Sequence, residues 1–345
     1  MRQDPDETRP VSGRGRRRRG WLLLGVVCLV VGCATNPVTA QRNLAVFTEQ
    51  QEINLGREAD REIIRQFGYY DDPQIQQYVN QVGQRVARVS ARRNLTYTFK
   101  VVDSPQVNAF ALPGGFVYVT RGILAELNSE AELAGVLGHE VTHVDARHGI
   151  QQLTRALGAS ILSILAAVGT RDPNWGGAAT LIFQNILNGY GREAEYEADR
   201  VGLYYVYQAG YDPRALAGFL RRLANRERLL VGGYHSLAAT HPETSQRLDR
   251  VETFAQIRIQ RGERQDLVIG LNEYRARLDG LVYGERAAFP LKRLKIYTAG
   301  AGDTLAAIAL KVYGNPNWAR ELAEFNGLSP TAALAPGTLL KIPPR

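Results

Sequence analysis

The sequence predicts an α+β chain: a mainly helical domain with a small β-sheet, followed by a small βααβ module at the C-terminus. Three observations carry this. His139, Glu140 and His143 stand in GHEVTH (138–143), inside a run of helical apolar period. Alternating residues near 96–102, 107–112 and 116–119 mark short strands, and residues 295–343 run strand, helix, helix, strand. With 345 residues, 45% of them hydrophobic, the chain can bury at least one substantial core.

At the N-terminus, RGRRRRG (14–20) precedes an 11-residue apolar stretch, Trp21 to Val31, which suits a signal peptide and is too short for a stable transmembrane helix. Residues 1–32 carry seven arginines and three acids, so about half of the net charge of +8 belongs to them. No separate basic stripe with interleaved aromatics follows, and nucleic acid is not suggested as a partner. Leu29-Val30-Val31-Gly32-Cys33 resembles a bacterial lipobox. That resemblance implies that residues 1–32 form a lipoprotein signal peptide, that Cys33 becomes the lipidated first residue held in a membrane, and that 33–47 is an anchor and linker. Ala34 after the cysteine favours the outer membrane over the inner one by the enterobacterial rule. Cys28 leaves with the signal, so no disulfide is expected in the mature chain.

Helices are expected near 48–66, opened by Thr48 and Gln51, and near 73–89, opened by Asp72 and Pro73. The second places Ile75, Tyr78, Val79, Val82 and Val86 at helical spacing toward a core. Pro113-Gly114-Gly115 reads as the turn between the last two strands. Strand 116–119 is the candidate sheet edge, where an extended polypeptide could pair with backbone.

Ser129 with Glu132 reads as a capping box for the next helix; Leu133, Val136, Leu137 and Val141 keep its period and Gly149 ends it. Residues four apart share a helix face, so the imidazoles of His139 and His143 can point at one metal ion. Glu140 is then placed to take a proton from water activated by that metal. His148 is a poor third ligand, because five residues past His143 is about 140° around a helix. Bonding the last helix carbonyls suits it better. A stronger candidate lies in GREAEYEADRVG (191–202), where Glu195 and Asp199 are spaced i,i+4 on a second helix. Glu195 would complete a His₂Glu site with an open fourth position, and Asp199 would accept the free ring N–H of a metal histidine. Glu193 and Glu197 project elsewhere, toward solvent or toward Arg192 and Arg200. The apolar runs 156–169 and 177–187 are shorter than the ~20 residues of a membrane span and suit buried helices.

HEVTH followed at a distance by EYEAD resembles the HtpX, BepA and CAAX prenyl-protease family of zinc metallopeptidases over about residues 36–256. NAFALPGGFVYVTRG (108–122) and HPETSQR (241–247) are similar to further stretches of that family. The resemblance implies a zincin-like (gluzincin) metallopeptidase domain over 48–256 holding one Zn2+, with Glu195 as third ligand and Asp199 behind the ligands. It also implies polypeptide substrates, unfolded or misassembled proteins of the cell envelope. His241 and Arg247 have two functional readings, in which they stabilise the oxyanion of the tetrahedral intermediate or His241 becomes a fourth zinc ligand that closes the site, and a plain one, a loop histidine with Arg247 capping a helix.

Residues 257–294 are charge-rich and read as a helix plus linker. YTAGAGDTLAAIA, NWARELAEFNGL and LAPGTLLKIP, within 295–345, resemble a LysM domain. Asp303 or Thr304 would cap its first helix, Ile308, Trp318 and Leu322 would fill its core, and Pro336-Gly337 would turn into the last strand. The resemblance implies N-acetylglucosamine-containing glycan, hence peptidoglycan, as a partner. The rival class is an envelope chaperone or scaffold with a structural or latent zinc. Glu140 separates the two, since a purely structural site has no use for a base.

Overall fold

The computed structural model describes residues 32–35, 38, 42–45, 47–158, 184, 186–229, 237–241, 244–262, 264, 266–288 and 290–345. The proposed signal residues 1–31 and most of the two apolar runs at 156–169 and 177–187 lie outside the described residues. Among the described residues no helix is long and apolar enough to cross a membrane. Strands β1 (Gly32–Thr35) and β2 (Arg42–Ala45) pair antiparallel within the stretch expected as anchor and linker.

Helix α1 (Glu49–Phe67) starts as its sequence dictates, with Thr48 and Gln51 capping each other's backbone N–H. Asp72 caps α2 (Pro73–Ala87) by accepting from the N–H groups of Gln74 and Ile75. The apolar face of α2, from Ile75 to Val86, enters the main core.

The sheet has β3 (Thr98–Val102), β4 (Ala109–Leu112) and β5 (Phe116–Thr120) in the order β3-β5-β4. β5 runs antiparallel to β4 through the turn at 113–115 and parallel to β3 on its other side. This overturns strand 116–119 as the edge: β5 is central, and β4 is an edge. Alternation identifies a strand, but its neighbours are set by where β3 lands. Gly114 and Gly115 adopt φ of 81° and 97°, and a Cβ on Gly114 would come within 2.6 Å of the Ile53 Cα.

Helix α3 (Arg121–Glu126) leads into α4 (Glu130–Asp145), which carries HEVTH. Ser129 caps α4 through the Glu132 N–H, but the Glu132 carboxylate bonds the N–H of Asn128 instead and pairs with Arg222. Every residue of α4 from Ala131 to Asp145 is buried. Its end is anchored by the Asp145 carboxylate, which accepts from Tyr97 Oη, Tyr205 Oη and the Ala91 N–H. Gly149 does not end the helix. Ala146 and a left-handed Arg147 do, and α5 (His148–Leu157) begins at once.

Helix α6 (Arg192–Gln208) packs against α4 at a crossing where Gly138 meets Gly202. A Cβ on Gly202 would lie 2.8 Å from both the Gly138 carbonyl carbon and the His139 nitrogen, so two backbones touch beside the first histidine. Gly202→Ala is therefore expected to destabilise the fold by about 1–3 kcal/mol in urea unfolding and to weaken metal binding as the helices separate. Unchanged unfolding and metal affinity would show that the crossing tolerates a methyl group.

Helices α7 (Arg214–Leu229), α8 (Leu237–Thr240), α9 (Thr244–Gln260) and α10 (Leu271–Arg277) complete the first domain. The stretch expected as a linker sends Tyr274, Leu278, Leu281, Val282 and Leu294 into the main core, and Tyr274 Oη donates to the Leu124 carbonyl at 2.7 Å. Its exposed charges obscured these apolar positions in the sequence.

The C-terminal module has β6 (Lys295–Thr298), α11 (Leu305–Tyr313), a short 3-10 turn at Pro316–Trp318, α12 (Ala319–Phe325) and β7 (Leu339–Ile342), with β6 antiparallel to β7. Thr304 caps α11, while Asp303 accepts from the Gly300 N–H and Tyr297 Oη. Leu305, Ile308, Leu322 and Leu340 form its core, with Trp318 at the margin. Buried Lys341 donates to the carbonyls of Ala125 and Leu127 at the end of α3, and Arg275 bonds those of Leu339 and Asn326. These contacts seat the module on the first domain.

Candidate metal centre

Helix α4 sets His139 and His143 one turn apart with their Nε2 atoms 3.0 Å from each other. From the first turn of α6, Glu195 brings Oε2 to 3.4 Å from His139 Nε2 and Oε1 to 3.5 Å from His143 Nε2. The three residues expected as ligands therefore converge. His241, just after α8, joins them: its Nδ1 lies 3.1 Å from His139 Nε2 and 3.0 Å from Glu195 Oε1. One donor atom from each of the four buried residues falls within 4.8 Å of the others. Donors held at about 2.0–2.1 Å around one tetrahedral ion stand about 3.3 Å apart, so this set of three imidazoles and a carboxylate fits a zinc-type cation. Of the five histidines in the chain, four gather here, including His148 behind His143.

Glu140 lies beside the cluster. Its carboxylate is fully buried, and among the described residues neither oxygen has a hydrogen-bond partner; His241 Nε2 approaches Oε1 at 3.4 Å. Burial pushes this carboxyl above its usual range. A buried, unbonded carboxylate needs a reason, and a proton acceptor facing a reaction site supplies one.

Behind His139, Asp199 Oδ1 stands 2.9 Å from Nδ1, on the side away from the Nε2 that faces His143 and Glu195. Arg247 on α9 forks onto both oxygens of Asp199 at 2.7 Å and pairs with Glu195 Oε2 at 2.9 Å. Burial would raise both carboxyls. His241 and the Arg247 cation at Glu195, and Arg247 at Asp199, outweigh burial and hold both below the usual range, so both are ionised. Burial and Arg247 oppose charge on His139, but Asp199 and Glu195 prevail and lift it to about 9; burial drives His143 well below its usual value. The position of Arg247 does not suit the oxyanion role considered for it. Its guanidinium is spent on Asp199, Glu195 and the His241 carbonyl, and reaches His139 on the Nδ1 side.

His148 does not bond the last carbonyls of α4. It opens α5, with Nδ1 2.9 Å from His143 Nδ1 and Nε2 3.6 Å from Glu197. Glu197, expected toward solvent or arginine, faces this histidine. Sequence reasoning missed Tyr190, whose ring stacks on His143 at 4.0 Å, because a lone tyrosine beyond an apolar run carries no periodic signal. A groove beside His143 is lined by Ala111, Leu112, Pro113, Ile150 and Tyr190. Asn108 O accepts from the Thr120 N–H, so the alternation of an antiparallel pair turns the carbonyls of Ala109 and Ala111 away from β5. Ala109 O lies 3.4 Å from His241 Nε2.

An HExxH helix crossed by a second helix that delivers a carboxylate defines a metallopeptidase-type centre of the gluzincin kind. The family model described as peptidase family M48 matches residues 73–255, just over half of the chain, and that of the LysM domain matches 297–343. The chain belongs to peptidase family M48 and ends in a LysM domain. It is 31% identical over 219 residues to the mitochondrial metalloendopeptidase OMA1 of Schizosaccharomyces pombe, an alignment covering 63% of this chain and 64% of that protein. It is 30% identical over 214 residues to the beta-barrel assembly-enhancing protease of Yersinia pestis, covering 59% and 44%. With the protein of the same name from Escherichia coli K12 it shares 28% over 212 residues, covering 57% and 42%. The chain thus spans between 42% and 64% of the length of these relatives.

Proposed function

We propose that the chain is a zinc-dependent endopeptidase of the bacterial cell envelope, facing the periplasm, that cleaves unfolded or misassembled proteins. In this reading lipidated Cys33 holds it in a membrane, the outer one by the Ala34 rule, and the LysM domain binds peptidoglycan. The observation that carries the peptidase reading is the Glu140 carboxylate, buried and unbonded beside four converging donors.

His139, His143 and Glu195 would hold the zinc. Bound there, the ion supplies Lewis acidity, polarising a peptide carbonyl and making water a better acid. Glu140 takes the proton of the attacking water and returns it to the leaving amine. Its raised carboxyl suits both roles, since a base that must later act as an acid works best near the operating pH. Asp199 fixes the His139 ring, and Arg247 neutralises Asp199 and Glu195 from behind. Edge strand β4 offers outward backbone groups to an extended substrate, recognition that ignores most side chains and so favours unfolded chains.

His241 occupies the side that a substrate and the attacking water need, between Glu195 and Glu140. This favours its role as a fourth ligand that closes the site. Casein cleavage by the soluble form lacking residues 1–33, with bound zinc counted, tests the reading. The parent should cleave slowly and stop when zinc is stripped, and His241→Ala should cleave several-fold faster. A slower His241→Ala would restore the oxyanion role, an unchanged rate would make His241 a loop residue, and zinc-loaded protein inert in both forms would favour a scaffold.

A further inference from the structure

Among the described residues, Arg147 is the one non-glycine residue in the left-handed region, with φ of 62°. A residue with a Cβ keeps that conformation only where its surroundings over-determine it. Here they do: the guanidinium of Arg147 bonds the Phe47 carbonyl and pairs with buried Glu52, and its N–H donates to the Val144 carbonyl at 3.1 Å. The left-handed turn separates α4 from α5, and His148, the first residue of α5, stands against the second histidine of HEVTH.

The contact has a direction. His143 turns Nε2 toward His139 and Glu195, so with a metal held at Nε2 its ring proton would sit on Nδ1. The Nδ1 of buried His148 lies 2.9 Å away, where it would accept that proton's hydrogen bond. In that arrangement the other ring nitrogen of His148, Nε2, faces Glu197 at 3.6 Å. His139 has Asp199 at its Nδ1; among the described residues the partner at the Nδ1 of His143 is His148.

Resting on the metal-ligand reading above, we propose that His148 is a positioning residue of the metal centre. It sets the tautomer and ring orientation of His143, and the left-handed turn at Arg147 delivers it there. The partner behind a ligating histidine typically changes metal affinity by about 10- to 100-fold.

The test uses the full-length chain in detergent, with zinc affinity measured by chelator competition and ligand geometry read from the visible absorption of the Co2+-loaded protein. His148→Phe keeps a ring without an acceptor, and His148→Gln keeps an acceptor. The Phe variant should bind zinc about 10- to 100-fold more weakly with a shifted Co2+ spectrum, and the Gln variant should recover most of both. Parental affinity and spectrum in the Phe variant, or no recovery in the Gln variant, would overturn the proposal. Should His148→Phe not fold, His148→Leu against His148→Gln makes the same comparison under the same criteria. A parent chain that binds no zinc would sink the metal-ligand reading itself, whereas zinc binding that is equal in parent and variants sinks only the role of His148.

Discussion

Glu140→Gln is expected to lower casein cleavage by about 10²–10⁴-fold while zinc stays bound, the range that general acid–base catalysis contributes. Glutamine keeps the shape of the side chain but accepts no proton from water. Glu140 is not among the converging donors, so the metal site should survive the change. The same variant has a stability signature. Burial raises the Glu140 carboxyl, so the folded state favours the protonated form. That contribution is fully present below the ordinary carboxylate pKa and is lost as pH rises through the raised value. At neutral pH the neutral amide should therefore melt no lower than the parent. Equal zinc and equal cleavage in both proteins would place the base elsewhere.

Arg247→Met should cost about 3–5 kcal/mol in urea unfolding at neutral pH, the usual result of removing one partner from a buried ionic group. Arg247 is buried, and its guanidinium is the cation between Asp199 and Glu195, both themselves buried. Without it two carboxylates remain in a dry site, and His139 loses the partner that keeps Asp199 in place. Asp199 and Glu195 both lie below their usual values, so the stability they contribute is present above the ordinary carboxylate pKa and lost as pH falls through the depressed values. The methionine variant should accordingly lose most at neutral pH and differ least from the parent in acid. A loss below about 1 kcal/mol would mean that His241 or another group already compensates the pair.

Both predictions rest on a centre that was partly readable in the chain. His139 and His143 had to share a face because a helix repeats every 3.6 residues, and Ser129 and the apolar period announced that helix. Glu195 and Asp199 were readable as an i,i+4 pair, and the resemblance to a known family assigned Glu195 its place. The caps of α1 and α2 and the hairpin turn at 113–115 follow the same logic, since each depends on residues within a few positions of one another.

Other features depend on contacts far apart in the chain. Pairing of β5 with β3 as well as β4 made strand 116–119 central, and no alternation of side chains records how many neighbours a strand has. Gly202 reads as an ordinary helix residue until Gly138 is set against it, and Arg147 as an ordinary surface arginine until Glu52 and Phe47 hold it left-handed. Arg247, six residues past His241, could be recognised as part of a motif, but only the packing of α9 on α6 set its guanidinium against Asp199 and Glu195. Short-range chemistry, meaning helix faces, caps, turns and the kinds of donor available, is written in the sequence of this protein because backbone geometry alone relates those residues. The sheet order, the approach of His241 to the other three residues of the cluster and the groups behind His139 and His143 were decided by tertiary structure, because they depend on which distant surfaces bury one another.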